Sequence, residues 1–83
     1  MLRLCVDGIE YDCDEFVTPE GRGAGVYSVG PAGSRTRIGY IDDIRGIGVL
    51  PESGQGAKTA ALLIRVARSL WPSEIAPSTV DSV

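Results

Sequence analysis

Val6-Asp7-Gly8-Ile9 restricts what this chain can fold into more than any other stretch. Before it, Leu2, Leu4 and Val6 alternate with Arg3 and Cys5; after it, Ile9, Tyr11 and Cys13 alternate with Glu10, Asp12 and Asp14. A period of two is a strand's period. Asp-Gly between two such runs predicts a two-residue hairpin, because a type I′ turn needs positive φ at both central positions. The register can be checked internally. A two-residue loop sets Val6 opposite Ile9, Leu4 opposite Tyr11 and Leu2 opposite Cys13, so the apolar faces coincide. It also sets Arg3 opposite Asp12, an attractive cross-strand pair. The same register sends Cys5 to the polar face and Cys13 to the apolar one. Their Cβ atoms then stay farther apart than the roughly 4 Å a disulfide needs, which predicts free thiols and a reducing compartment.

Beyond the hairpin, Thr18 to Gly25 (TPEGRGAG) reads as a turn-rich loop and Val26 to Val29 as a third strand. Gly30-Pro31-Ala32-Gly33-Ser34 reads as a second hairpin turn. A strand pattern then runs from Arg35 to Leu50, with Thr36, Ile38 and Tyr40 on one face. It is too long for an ordinary strand, so a bulge or break is expected near Asp42-Asp43, or at Gly46 and Gly48. After Pro51 to Gly56 the composition predicts a helix from Ala57 to Leu70, stopped by Pro72. Its apolar residues (Ala60, Leu63, Ile64, Ala67 and Trp71, widened by Leu62, Val66 and Leu70) span more than one face, which predicts cover on more than one side. Ile75 to Val80, interrupted by Pro77, reads as a short edge strand. The expected fold is α+β in a single domain over residues 1–83. It is an antiparallel meander of about four strands, one long helix packed on it and a short C-terminal strand.

Composition narrows function mainly by removal. There is no histidine, which excludes Ser-His and Cys-His catalysis and histidine-ligated metal. Two cysteines cannot build a four-cysteine zinc site, and no metal is expected. The net charge is −3 with no basic run, so no nucleic-acid partner is expected. Asp7, Glu10, Asp12, Asp14, Glu15 and Glu20 make the first quarter of the chain acidic, as a solvated face or a docking edge. The longest apolar run, Ala60 to Ile64, falls far short of the roughly 20 residues of a membrane span. Met1-Leu2-Arg3-Leu4 leads directly into a strand pattern rather than a signal peptide, so a soluble, cytoplasmic protein with no membrane partner is expected.

The stretch from Ile47 to Leu63 carries the most functional information. A strand that opens through small residues onto a helix N-terminus presents unpaired amides backed by the helix dipole, an arrangement suited to phosphate. Lys58 and Thr59 add a cation and a hydroxyl. A P-loop would require glycine at the positions held by Ala57 and Glu52, so that motif is excluded. The plainer role of the glycines is to shape a tight turn, with Ser53 as a cap.

Val49, Pro51 and Glu52, followed by Gly54, Gln55 and Gly56 and by Ala60 to Leu63, resemble the coenzyme-A-binding motif of the GNAT N-acetyltransferase superfamily. Gly39-Tyr40-Ile41 is similar to that family's preceding strand, and the resemblance covers roughly residues 36 to 71. It implies acetyl-CoA or CoA as ligand and Val49, Leu50, Gly54, Gln55, Gly56, Ala57, Lys58 and Thr59 as cofactor-binding residues. The amides near Val49 and Leu50 would polarise the thioester carbonyl. The chain departs from the family pattern at several points. Ser53 and Lys58 stand where the motif has Arg/Gln and a small residue, and Asp7-Gly8 leaves no room for helices between the first two strands. The family's C-terminal tyrosine and strand glutamate have no counterpart, so no catalytic acid or base is assigned. The resemblance therefore implies a minimal acyl-CoA-binding protein of the kind some phages encode, with weak N-acetyltransferase activity. The reading from a different class is a non-catalytic interaction protein that keeps a truncated form of that fold and binds a host or self partner. A homodimer, joined through the helix or the edge near Ile75 to Val80, is expected because a truncated fold leaves apolar surface uncovered.

Overall fold

The computed structural model describes residues 1–52, 54 and 56–72. Five strands follow one another as an antiparallel meander: β1 (Leu2–Val6), β2 (Ile9–Thr18), β3 (Gly21–Val29), β4 (Arg35–Asp43) and β5 (Ile47–Pro51). One helix, α1 (Ala57–Leu70), packs on the sheet, giving an α+β fold.

The first hairpin has the register that alternation dictates, with Leu2 opposite Cys13, Leu4 opposite Tyr11 and Val6 opposite Ile9. Its turn is left-handed at both positions, Asp7 at φ 55° and Gly8 at φ 80°. Arg3 faces Asp12 and is hydrogen-bonded to it. The thiols are free, Cys5 exposed on one face and Cys13 buried under the other.

The middle of the sheet corrects the sequence-based expectation. β3 starts at Gly21 rather than Val26, so most of the TPEGRGAG stretch is strand, joined to β2 by a tight turn at Pro19-Glu20. The Thr18 hydroxyl closes that turn, accepting the Gly21 N–H at 3.2 Å. At Gly23 a ring occupies the space of the missing side chain, and at Gly25 rings stand at contact distance. A Cβ on Gly23 would lie 2.6 Å from the Phe16 ring, and one on Gly25 would lie 3.4 Å from the Tyr27 ring. β4 carries a bulge where its register against β3 shifts between Val26 and Tyr27. The extra residue, Ile38, packs on the core, whereas Tyr40 lies on the opposite face beside Gly25, so the two do not share a face. The long pattern from Arg35 to Leu50 breaks after Asp43, with Gly46 at φ 96°, and this makes five strands of the expected four.

α1 has the bounds expected from its composition. Leu63, Val66 and Ala67 are fully buried against Val26, Ile41, Ala24 and Cys13 of the sheet. Each large side chain of this kind contributes about 1.5–3 kcal/mol on burial. The last turn is fastened to β2 and β3, where Trp71 Nε1 donates to Glu15 at 3.1 Å and the Arg22 guanidinium sits 5.0 Å above the indole ring. Among the described residues the helix is covered on the sheet side only; Ala61, Arg65, Arg68 and Ser69 are exposed. The expected edge strand at Ile75 to Val80 lies outside the described residues.

Candidate functional site

The junction between β5 and α1 sits at one end of the sheet. The ladder continues one residue past β5, where the Glu52 N–H donates to the Ile38 carbonyl at 3.0 Å. Gly54 is left-handed at φ 87°, a conformation that favours glycine. Gly56 then caps α1 in extended geometry, φ −115° and ψ −164°, and its carbonyl accepts the amides of Thr59 at 3.0 Å and Ala60 at 3.2 Å. The amides of Ala57 and Lys58 precede the helix's own ladder. The cap residue has no side chain to offer them, and no acidic residue stands in the first turn. A Cβ built on either Gly54 or Gly56 meets nothing within 4 Å, so the space over these backbones is open.

The structure thus brings Gly54, Gly56, Ala57, Lys58 and Thr59 together around one helix end. Gln55 and the suggested cap Ser53 lie outside the described residues. Val49 and Leu50 are separated by the strand pleat. Val49 packs with the core on the helix side, and Leu50 is exposed on the other face. Their amides differ as well. The Glu52–Ile38 bond fixes the ladder phase, so Leu50 turns its N–H to Tyr40 of β4 while Val49 turns its N–H away. Only the Val49 amide is therefore free of β4.

Arg37 is the site residue that sequence reasoning missed. Its Nε donates to Glu52 at 2.7 Å, its Nη1 donates to the Tyr40 hydroxyl, and its guanidinium carbon lies 4.8 Å from the Tyr40 ring centroid. The Glu52 hydrogen bond holds this guanidinium charged above its usual range. Arg37, Tyr40, Leu50, Pro51 and Glu52 line an open hollow of about 460 Å³ beside the loop. The bulge at Ile38 sets Arg37 there, and bulges leave little trace in an apolar pattern. No protein-family model, curated protein or solved structure matches this chain. A second open hollow of about 320 Å³, at the opposite end of the sheet, is lined by residues of the β2–β3 turn with Arg22 and Asp43. No helix among the described residues is long and apolar enough to cross a membrane.

Proposed function

We propose that this protein binds acyl-CoA, with the pyrophosphate at the N-terminus of α1. One observation carries the reading: among the described residues the helix opens on a glycine cap with no side-chain cap bond, and the space beside Gly54 and Gly56 is open. A protein that used this loop only as a connector would be expected to engage the first helical amides with its own cap. The helix dipole and two charge-assisted hydrogen bonds together supply a few kcal/mol, enough for a Kd of about a millimolar or somewhat below. Lys58 adds a screened attraction. The thioester arm runs past Pro51 toward the hollow beside Arg37 and Tyr40, where the outward Val49 amide is the donor left for its carbonyl. Acetyl transfer needs an amine held deprotonated and in line, and a proton for the departing thiolate. With no assigned base or acid, turnover is slow and binding is the main activity. A cytoplasmic location, where CoA and reduced thiols coexist, goes with this reading.

Calorimetry and thermal shift with acetyl-CoA and CoA test it. Gly56→Val is the informative variant. Its φ is negative and its Cβ has room, so the fold survives while the branched side chain covers the amides. Loss of binding with a wild-type circular dichroism spectrum, and a melting point lowered by no more than the loss of a good N-cap explains, supports the proposal. No heat and no shift with the wild-type protein at millimolar ligand removes it. The second reading, a non-catalytic interaction protein, is favoured by the sheet face opposite α1, which no described element covers and which exposes Phe16, Tyr40 and Leu50.

A further inference from the structure

The two edges of the sheet are built differently. β1 carries Arg3, which is paired with Glu10 and Asp12, so a charged side chain stands on that edge. β5 reads Ile47-Gly48-Val49-Leu50-Pro51 and has no charge at all. Edge strands normally discourage pairing with another chain through charges, bulges or a cover. Among the described residues, none of these protects β5 apart from Pro51 at its last position.

The ladder phase shows what this edge offers. Gly48 and Leu50 turn their N–H and C=O groups to β4, whereas Ile47 and Val49 turn both groups outward and Pro51 turns out its carbonyl. From this we infer that β5 pairs antiparallel with β5 of a second copy, about a two-fold axis passing beside Val49 and perpendicular to the sheet. The strand is complementary to itself in that register. Val49 exchanges both hydrogen bonds with its twin, and Ile47 donates to the Pro51 carbonyl of the other copy. The proline's missing N–H is the one bond lost on each side. On the open face, Leu50, 64% exposed in the single chain, comes to lie beside the Gly48 of the other copy, where the Asp42 carboxylate is the neighbouring side chain and can swing aside. On the helix face, Ile47 meets Pro51 and Val49 meets Val49, continuing the core across the axis. The occupant of this edge is therefore a second copy of the chain, and the two sheets join into one with both helices on the same side. The pairing needs no CoA, but it takes up the outward Val49 N–H, so pairing and thioester binding at that amide compete.

Two variants test the pairing without touching the bonds to β4. Val49→Pro removes an N–H that points away from β4, and Leu50→Glu places a charge at an exposed position. Sedimentation equilibrium from low to high micromolar concentration should show a wild-type dimer, and both variants as monomers with the wild-type circular dichroism spectrum. Hydrogen exchange provides a readout in the unmodified chain. The Ile47 and Val49 amides should become protected at least ten-fold as concentration rises, with Gly48 and Leu50 protected throughout. A wild-type monomer at high micromolar concentration overturns the inference. So does a dimer that survives both substitutions, or one that leaves Ile47 and Val49 exchanging freely.

Discussion

The helix-side face of the sheet and its open face are made by alternate residues of the same five strands, and they are stabilised by different physics. Toward α1 the sheet presents Cys13, Ala24, Val26 and Ile41, each no more than 1% exposed, and the contacts are close packing of apolar groups. Away from α1 the same strands present a lattice of charged and aromatic groups. Arg3 and Arg35 flank Asp12, Arg35 lies 5.9 Å from the Tyr27 ring centroid, and Arg37 joins Tyr40 to Glu52. On the helix side, position matters to a fraction of an ångström. On the open side the arginines and Tyr40 keep contact with water and tolerate displacement, while Asp12, 5% exposed, is enclosed between Arg3 and Arg35. The lesson is that the open face resembles a surface that ligands or partners can use, while the helix face has only a structural task.

The largest expected difference between the faces comes from truncating one leucine on each. Leu63→Ala leaves a cavity under the helix and should cost about 2–5 kcal/mol, whereas Leu50→Ala on the open face should stay within about 0.5 kcal/mol in the monomer. Urea denaturation of the two variants measures both. A glycine pair sharpens the same contrast. A Cβ on Gly39 would lie 2.6 Å from Leu63 Cδ1 and 2.7 Å from the Leu50 carbonyl oxygen, but one on Gly48 meets chiefly the movable Asp42 carboxylate. Gly39→Ala should therefore cost about 1–3 kcal/mol, and Gly48→Ala should cost clearly less.

How much of this was legible in the sequence depends on which face a residue serves. The first hairpin was readable to the residue, because Asp7-Gly8 specifies the turn and the buried face punishes a slip of one. The helix bounds were readable because a stretch rich in alanine, leucine and arginine runs without glycine or proline from Ala57 to Leu70. β3 was not, since glycine usually signals a loop. Here Gly23 lies under the Phe16 ring of β2, a tertiary effect that no local window contains. Strict alternation of Arg22, Ala24 and Val26 with Gly23, Gly25 and Tyr27 was the available signal. At the candidate site, the glycine turn and helix start were legible, but Arg37 was not, because its place depends on a bulge.

Smaller effects separate the faces by pH. On the open face, the Arg3 hydrogen bond holds the Asp12 carboxyl below its usual range. Stability from that pair is complete above the unfolded value of about 4 and is lost as pH falls through the lowered folded value. Asp12→Asn should flatten that limb of a melting-point profile. On the helix face, burial chiefly, with nearby Glu15 and Asp12, pushes the Cys13 thiol up to about 11. Its folded value lies above the unfolded one, so its contribution is complete below about pH 8.5 and declines as pH rises toward the folded value. Cys13→Ala should remove this alkaline dependence. Consistently, Cys5 should react with a thiol reagent at neutral pH at once, and Cys13 only as the protein opens.

Amide chemical shifts during an acetyl-CoA titration decide whether the N-terminus of α1 binds the CoA pyrophosphate, as proposed. Saturable shifts are expected at Gly54, Gly56, Ala57, Lys58 and Thr59, smaller ones at Val49 and Arg37, and none at Trp71 or the Asp7-Gly8 turn. Free CoA should reproduce them and Gly56→Val should abolish them. Shifts confined to other parts of the sheet, or none at millimolar ligand, would rule out CoA binding at this helix end.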